Sequence, residues 1–135
     1  MKKWLAAFAA ALGIVACTKS STSSTTPTTP STKSTDTFSG TVAVKGTDAH
    51  NFTVNSSGEV DVTLTVTNPS VTMGLSVGVP NGSACPAIGG GSVVANAGST
   101  AQLSGVLSPA TYCVAVFDIG NQSQSVSYTV TVAHF

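Results

Sequence analysis

Residues 60–66 read V-D-V-T-L-T-V, a strict alternation of apolar and polar side chains. Because successive side chains of a β-strand point to opposite faces, this pattern predicts a strand with one face buried and the other in water. Similar alternation recurs in residues 71–79, 112–116 and 126–132. Valine and threonine are frequent in these segments, and no segment after residue 37 has a helical period. The sequence therefore predicts an all-β domain.

Turn-forming clusters separate the alternating segments, so strands recur about every 8–12 residues, as in a β-sandwich or a small barrel. Alternating rather than continuous apolar runs favour antiparallel pairing. The predicted fold class is an antiparallel β-sandwich of seven to eight strands over residues 38–135. The predicted strands are 38–44, 49–55, 59–67, 71–79, 91–95, 100–106, 111–118 and 125–134.

The N-terminus has the parts of a secretory signal: two lysines, a short apolar run, and small residues before Cys17. The apolar run is shorter than the roughly 20 residues that a transmembrane helix needs. Ile14-Val15-Ala16-Cys17 resembles the lipobox of bacterial lipoproteins. The resemblance implies that residues 1–16 are removed and that Cys17 receives a diacylglyceryl group and a further acyl chain, commonly palmitate. A plain secretory signal followed by a free cysteine is the alternative.

Lipidation of Cys17 would make the membrane a partner through the lipid anchor. We therefore expect the protein at the bacterial cell envelope. Thr18 follows the cysteine, where some lipoproteins retained at the inner membrane carry aspartate. The expected location is therefore the outer membrane, on its periplasmic or its surface face.

Residues 18–37 read TKSSTSSTTPTTPSTKSTDT and contain no apolar side chain that could be buried. Such a composition cannot offset the entropy lost on ordering the chain. Residues 17–37 are therefore predicted to be a disordered tether between the lipidated cysteine and the folded domain.

Charged residues make up only 7 % of the chain, and arginine is absent. From Phe38 onward one lysine, Lys45, stands against four acids, which gives a net charge of −3. Such a domain has little with which to neutralise phosphates, so nucleic acid is excluded as an expected partner.

The chain has three cysteines. If Cys17 is lipidated, Cys85 and Cys113 remain as a pair that would oxidise to a disulfide outside the cytoplasm. Two separate buried thiols, or one reactive thiol, are the alternatives. We expect Tyr112, Val114 and Val116 to face the core and Cys113 to face outward, although the opposite phase would place Cys113 inward with Ala115 and Phe117. In the preferred phase the disulfide would hold a glycine-rich loop, residues 81–92, against the outer face of a strand.

No catalytic or metal-binding pattern is present in the sequence, so we expect no enzyme activity, no cofactor and no metal site. The two histidines, His50 and His134, are interpreted as surface residues at strand ends. Gly89-Gly90-Gly91 lacks the flanking residues of a phosphate-binding loop and is interpreted as a mobile loop. The acids from Phe38 onward are interpreted as solvated side chains, namely Asp48, Glu59, Asp61 and Asp118.

Four segments, taken in order, resemble the bacterial pre-peptidase C-terminal domain family. They are D-A-H-N-F-T-V (48–54), G-E-V-D-V-T-L (58–64), L-S-P-A-T-Y-C-V-A-V (107–116) and S-Y-T-V-T-V (127–132). Ala110 stands where the family usually has glycine. The resemblance implies a jelly-roll-like β-sandwich of a kind that accompanies exported peptidases and in some members binds collagen or polysaccharide. The calcium site of certain members is not carried over, because Asp48 alone does not reproduce it.

These observations lead to one expected function and two alternatives. The chain is expected to be a non-catalytic, lipid-anchored envelope protein whose β-sandwich binds an envelope protein or a polysaccharide. The alternatives are a structural envelope lipoprotein without a specific ligand and an accessory domain of an exported hydrolase system. Phe117 is the one aromatic side chain expected outside the core, which gives little support for a sugar-binding platform.

Overall fold

The computed structural model describes residues 31–135 and contains eight β-strands and no helix in that range. No helix long and apolar enough to cross a membrane occurs among these residues. All eight predicted strands are present, and their ends differ from the prediction by at most four residues. The strands are β1 (Ser34–Val42), β2 (Thr47–Val54), β3 (Gly58–Asn68), β4 (Met73–Gly78), β5 (Ala87–Ala95), β6 (Leu103–Leu107), β7 (Ala110–Phe117) and β8 (Val126–His134).

The strands form two four-stranded antiparallel sheets. The first sheet has the order β1-β8-β3-β6, and the second has the order β2-β7-β4-β5. In this arrangement β1 pairs with β8, β2 with β7, β3 with β6 and β4 with β5. The chain is therefore one long hairpin, with the β4–β5 connection at its tip, that is rolled into two layers, as in a jelly roll. The predicted antiparallel β-sandwich is confirmed.

The core lies between the two sheets and follows the alternation read from the sequence. On β3, Val60, Val62 and Leu64 are at most 3 % exposed. Burying each such side chain contributes about 1.5–3 kcal/mol. Val66 was expected to continue this face, but it is half exposed because the pairing of β3 with β8 shifts between Leu64 and Val66. The other core residues include Val42, Phe52, Val54, Met73, Leu75, Val77, Val114, Val116, Val126, Tyr128, Val130 and Val132.

Strand β1 begins at Ser34, four residues before the predicted start of the domain at Phe38. Residues 34–37 pair with residues 131–134 of β8 and so do not belong to the predicted tether. A strand can form there without apolar side chains because the backbone of β8 supplies the hydrogen bonds. The signal peptide, Cys17 and the tether up to residue 30 lie outside the described residues.

The disulfide between Cys85 and Cys113 is confirmed. The predicted phase of β7 is also correct, since Val114 and Val116 belong to the core cluster and Cys113 does not. Cys113 is nevertheless only 1 % exposed, because the disulfide holds the β4–β5 connection, residues 79–86, against this outer face. The same connection covers β4, where Pro86 lies directly over Gly78.

The glycine triplet was predicted to belong to a loop, but Gly89, Gly90 and Gly91 lie inside β5. The pairing of β4 with β5 jumps from Ser76–Ser92 to Gly78–Ala87, so β5 has extra residues at this point. The glycines accommodate this bulge, and Gly90 has a positive φ of 74° that other residues rarely adopt.

Candidate functional site

The two lateral edges of the sandwich differ, and the edge formed by β1 and β2 is closed by a polar cluster. The Tyr128 hydroxyl donates to Asp48 Oδ2 at 2.8 Å, and His50 Nε2 lies 2.9 Å from the same hydroxyl. Because the phenol proton points to Asp48, the imidazole Nε2 is the donor to the phenol oxygen. The Phe38 ring stacks on His50 with a centroid distance of 4.9 Å.

This cluster joins the two sheets, since Tyr128 belongs to the first sheet and Asp48 and His50 belong to the second. Burial of the phenol, together with the Asp48 carboxylate, raises the pKa of Tyr128 well above its ordinary value. Tyr128 is 2 % exposed and therefore inaccessible to a substrate. The cluster acts as a cross-link between the sheets.

The interpretation of His134 as a surface residue is wrong, because it is 4 % exposed. Its Nε2 lies 3.0 Å from Asp36 Oδ2, and its ring lies 5.5 Å from that of Phe52. The side chain is buried because β1 extends back to Ser34, which pairs with His134 in the register. The sequence-based interpretation had assigned Asp36 to the tether and so gave His134 no partner.

Glu59 and Asp61 were interpreted as solvated acids, but both are bound by Lys33 on the outer face of the first sheet. Lys33 Nζ lies 2.9 Å from Glu59 and 2.5 Å from Asp61, and the Ser104 hydroxyl donates to Asp61 at 2.6 Å. The ammonium group, followed by Ser104, lowers the pKa of Asp61. The same carboxylates raise the pKa of Lys33. This group fixes the chain where it enters β1.

Asp118 organises the end of the sandwich opposite to the entry of β1. Its Oδ2 accepts the backbone N–H of Lys45 at 2.7 Å, and its Oδ1 accepts the backbone N–H groups of residues 120–122. These bonds, that of Lys45 foremost, lower the pKa of Asp118. The acid is therefore a loop cap. No group of three or more His, Cys, Asp or Glu side chains suited to a metal occurs within residues 31–135.

The opposite lateral edge, between β5 and β6, is open and holds a groove of about 180 Å³. Its floor consists of Val60, Val62 and Val77, which are core residues. Its walls are residues 88–91 of β5 and residues 103–107 of β6. We call this feature the β5–β6 groove. Its lining has no charged side chain and combines aliphatic side chains with Ser104 and the backbone of four glycines.

Glycines create the groove. Gly105 pairs with Val60, and Leu103 pairs with Val62, so Gly105 occupies a position that faces the core. A Cβ atom there would meet no atom within 4 Å, and the same holds at Gly89. The lining therefore has no side chain at Gly89 and Gly105, whereas Ile88, Leu103 and Leu107 pack against the core.

A second depression of about 580 Å³ lies between β2 and the connection 79–86. It is lined by Thr47, Ala49, Asn81, Ser83, Ala84, Cys85 and Pro86. These side chains are small and lie on the outer face, and no core residue forms its floor. The β5–β6 groove is therefore the better candidate, because apolar burial provides most of the energy of ligand binding in protein pockets.

Comparison of the chain with protein-family models and with curated proteins found no match. The resemblance to the pre-peptidase C-terminal domain family therefore stays a prediction. Of the predicted site residues, Cys85 and Cys113 are joined in the structure, and Cys17 lies outside the described residues. The groove was missed by sequence reasoning. The sequence feature that could have predicted it is Gly105, but the inward position of this glycine is known only once the pairing of β6 with β3 is known.

Proposed function

We propose that this chain is a lipid-anchored protein of the bacterial envelope that displays a non-catalytic jelly-roll domain as a binding module. The observation that carries the proposal is the pairing of Cys85 with Cys113, because it leaves Cys17 as the third cysteine, directly after Ile14-Val15-Ala16. A thiol in that position suits lipidation better than a structural role in the domain.

The geometry supports display away from a membrane. The tether leads into β1 at Ser34, and the four connections at the far end of the sandwich face in the opposite direction. Hydrogen bonds join all four connections: Asn121 to the Thr72 carbonyl, Thr72 to Asn96, and the Lys45 N–H to Asp118. The domain is thus held by one end, and its side edge and far end are left accessible.

The titratable groups at the closed edge and on the first sheet support a non-catalytic role. Tyr128 is buried between Asp48 and His50, and Asp61 is neutralised by Lys33. Each group is satisfied by a partner inside the fold, whereas a catalytic acid or base must reach a substrate.

The β5–β6 groove favours a protein partner over a polysaccharide. None of its side chains is aromatic, whereas sugar platforms use exposed aromatic rings. Phe117, which was expected outside the core, lies over Gly74 and fills that space instead of projecting into solvent.

Metabolic labelling with an alkyne fatty acid tests the anchor. The wild-type chain should be labelled and should fractionate with membranes, and Cys17→Ser should lose both properties. Cys85→Ala/Cys113→Ala is the matched control, because it removes the other two thiols and should leave the label in place. Equal labelling of the Cys17→Ser chain would contradict the proposal.

A further inference from the structure

We propose that the β5–β6 groove binds an extended, basic-to-neutral peptide segment of a partner protein. In this arrangement the segment adds a fifth strand to the first sheet along β6 and places one apolar side chain over Gly105. The inference rests on the proposed function as a binding module and names the class of partner and the binding residues.

The first argument comes from the edges of the sheets. An edge strand has one row of backbone groups without a partner, and proteins usually protect such edges with charge, proline or a bulge. Among the four edge strands, β1 carries Asp36, β2 carries Asp48, and β5 has the glycine bulge. Strand β6 reads L-S-G-V-L, has no charged residue or proline, and pairs with β3 without a register shift. It is therefore the edge best suited to accept another strand.

The second argument is steric. Directly opposed side chains of neighbouring strands lie about 4.5–5.5 Å apart, so a side chain opposite Gly105 would point into the groove. Cavities of about 150 Å³ lined by aliphatic side chains bind a molecule as large as benzene. The groove, at about 180 Å³, therefore has room for one leucine or phenylalanine side chain. Pockets that enclose a whole small-molecule ligand have a volume of about 300 Å³ or more, so the groove is smaller than these.

The third argument is electrostatic. On the outer face beside β6, the single charge of Lys33 faces two carboxylates, Glu59 and Asp61, which leaves a net charge of −1. Glu59 is opposite Val106 in the register, and its side chain is 60 % exposed. An added strand would direct alternate side chains toward this surface, where lysine or arginine is favoured and acidic residues are disfavoured.

The test uses the full chain recovered after export, labelled with ¹⁵N, and a blocked heptapeptide. The peptide has a central leucine with a lysine on each side and serine or threonine elsewhere. We expect it to shift the amide signals of residues 103–107 and 89–91. Replacing the lysines by glutamates, or the leucine by aspartate, should weaken binding at least tenfold. Methylation of the central backbone nitrogens should abolish it.

Two matched variants locate the site. Gly105→Val fills the groove from within and should weaken peptide binding at least tenfold. Val94→Thr is the control, because Val94 on β5 is 58 % exposed and does not line the groove, and this change should leave the affinity within twofold. If Gly105→Val does not fold, Gly89→Val closes the groove from the opposite wall, where a side chain also meets open space.

Several results would overturn the inference. One is the absence of amide shifts in residues 103–107 and 89–91 at millimolar peptide. Another is an unchanged peptide affinity in Gly105→Val and Gly89→Val. A third is binding of hexanol in the groove by a chain that does not bind the peptide. Concentration-dependent broadening of the β6 signals in the chain alone would assign the edge to a second copy and would also overturn it. An envelope partner captured equally by wild type and Gly105→Val would refute the groove and leave the binding module standing. Loss of the fatty-acid label would refute only the anchor.

Discussion

Reduction of the disulfide should destabilise the domain by several kcal/mol. Cys85 and Cys113 are separated by 28 residues in the sequence. For a loop of that length, the loss of chain entropy in the unfolded state corresponds to about 3.6 kcal/mol at 25 °C. Small domains are stable by about 5–15 kcal/mol in total, so the bond would supply a large share of the stability.

The effect should be concentrated at the tip of the long hairpin. The bond attaches the connection 79–86 to β7, and this connection also covers Gly78 of β4 through Pro86. Within the connection, Asn81 and Ala84 exchange two backbone hydrogen bonds, which form a small turn with little buried surface. After reduction, amide exchange should therefore accelerate first in residues 79–86 and only later in the paired strands.

Urea unfolding, followed by circular dichroism, measures the magnitude. With an m-value of about 1.5 kcal/mol/M, the expected loss moves the midpoint down by roughly 2.4 M. The Cys85→Ala/Cys113→Ala chain is the control, because reductant should not move its midpoint. An unchanged midpoint in reduced wild-type chain, with both thiols shown to be free, would refute the entropy argument.

Three further predictions concern the polar contacts and glycines. The pKa of Tyr128 is raised in the folded state, so this residue stabilises the domain fully below about pH 10. Above that pH the free energy of unfolding should fall by up to about 1.4 kcal/mol per pH unit. Urea midpoints from pH 9 to 11.5 should show this slope in wild type and not in Tyr128→Phe. Lys33 lowers the pKa of Asp61 in the folded state, so ionised Asp61 stabilises the domain above about pH 4. This stabilisation should be lost as the pH falls through the folded pKa. Lys33→Met should therefore make the urea midpoint fall less steeply at acidic pH. Gly40→Ala should lower the free energy of unfolding by about 1–3 kcal/mol, because the new Cβ would displace the Asp48 carboxylate that is bonded to Tyr128. Gly105→Ala should be neutral or stabilising. A similar loss in both variants, measured by urea unfolding, would contradict the packing argument.

The sequence predicted the strands well because a period of two is a local property of each segment. Its errors fall where a strand depends on a partner far along the chain. Val66 turns outward because β3 changes register against β8, and Gly89–Gly91 join β5 as a bulge in its pairing with β4. Strand β1 starts early because it pairs with residues about 100 positions away.

The candidate site was less predictable than the fold. The disulfide could be predicted from the number of cysteines alone, without knowledge of the three-dimensional structure. The groove needs two long-range facts: Gly105 is opposite Val60, and β5 faces β6 across the open edge. His134 illustrates the same limit, since its burial depends on Asp36, a residue that composition alone assigned to the tether.

The glycine at position 105 argues that the groove is more than a packing defect. Glycine inside a strand is less stable than alanine by about 0.5–1 kcal/mol, and at this position the Cβ of alanine would meet no atom within 4 Å. Nothing in the fold therefore requires glycine there, whereas Gly40 is required by the polar cluster beneath it. Local choices that lower stability without a structural reason are concentrated at functional sites. The closed edge, with its Asp48–Tyr128 bond, and the open edge, with its missing side chains, thus have different purposes. The first joins the two sheets through Asp48 and Tyr128, and the second is where the proposed binding module would receive its partner.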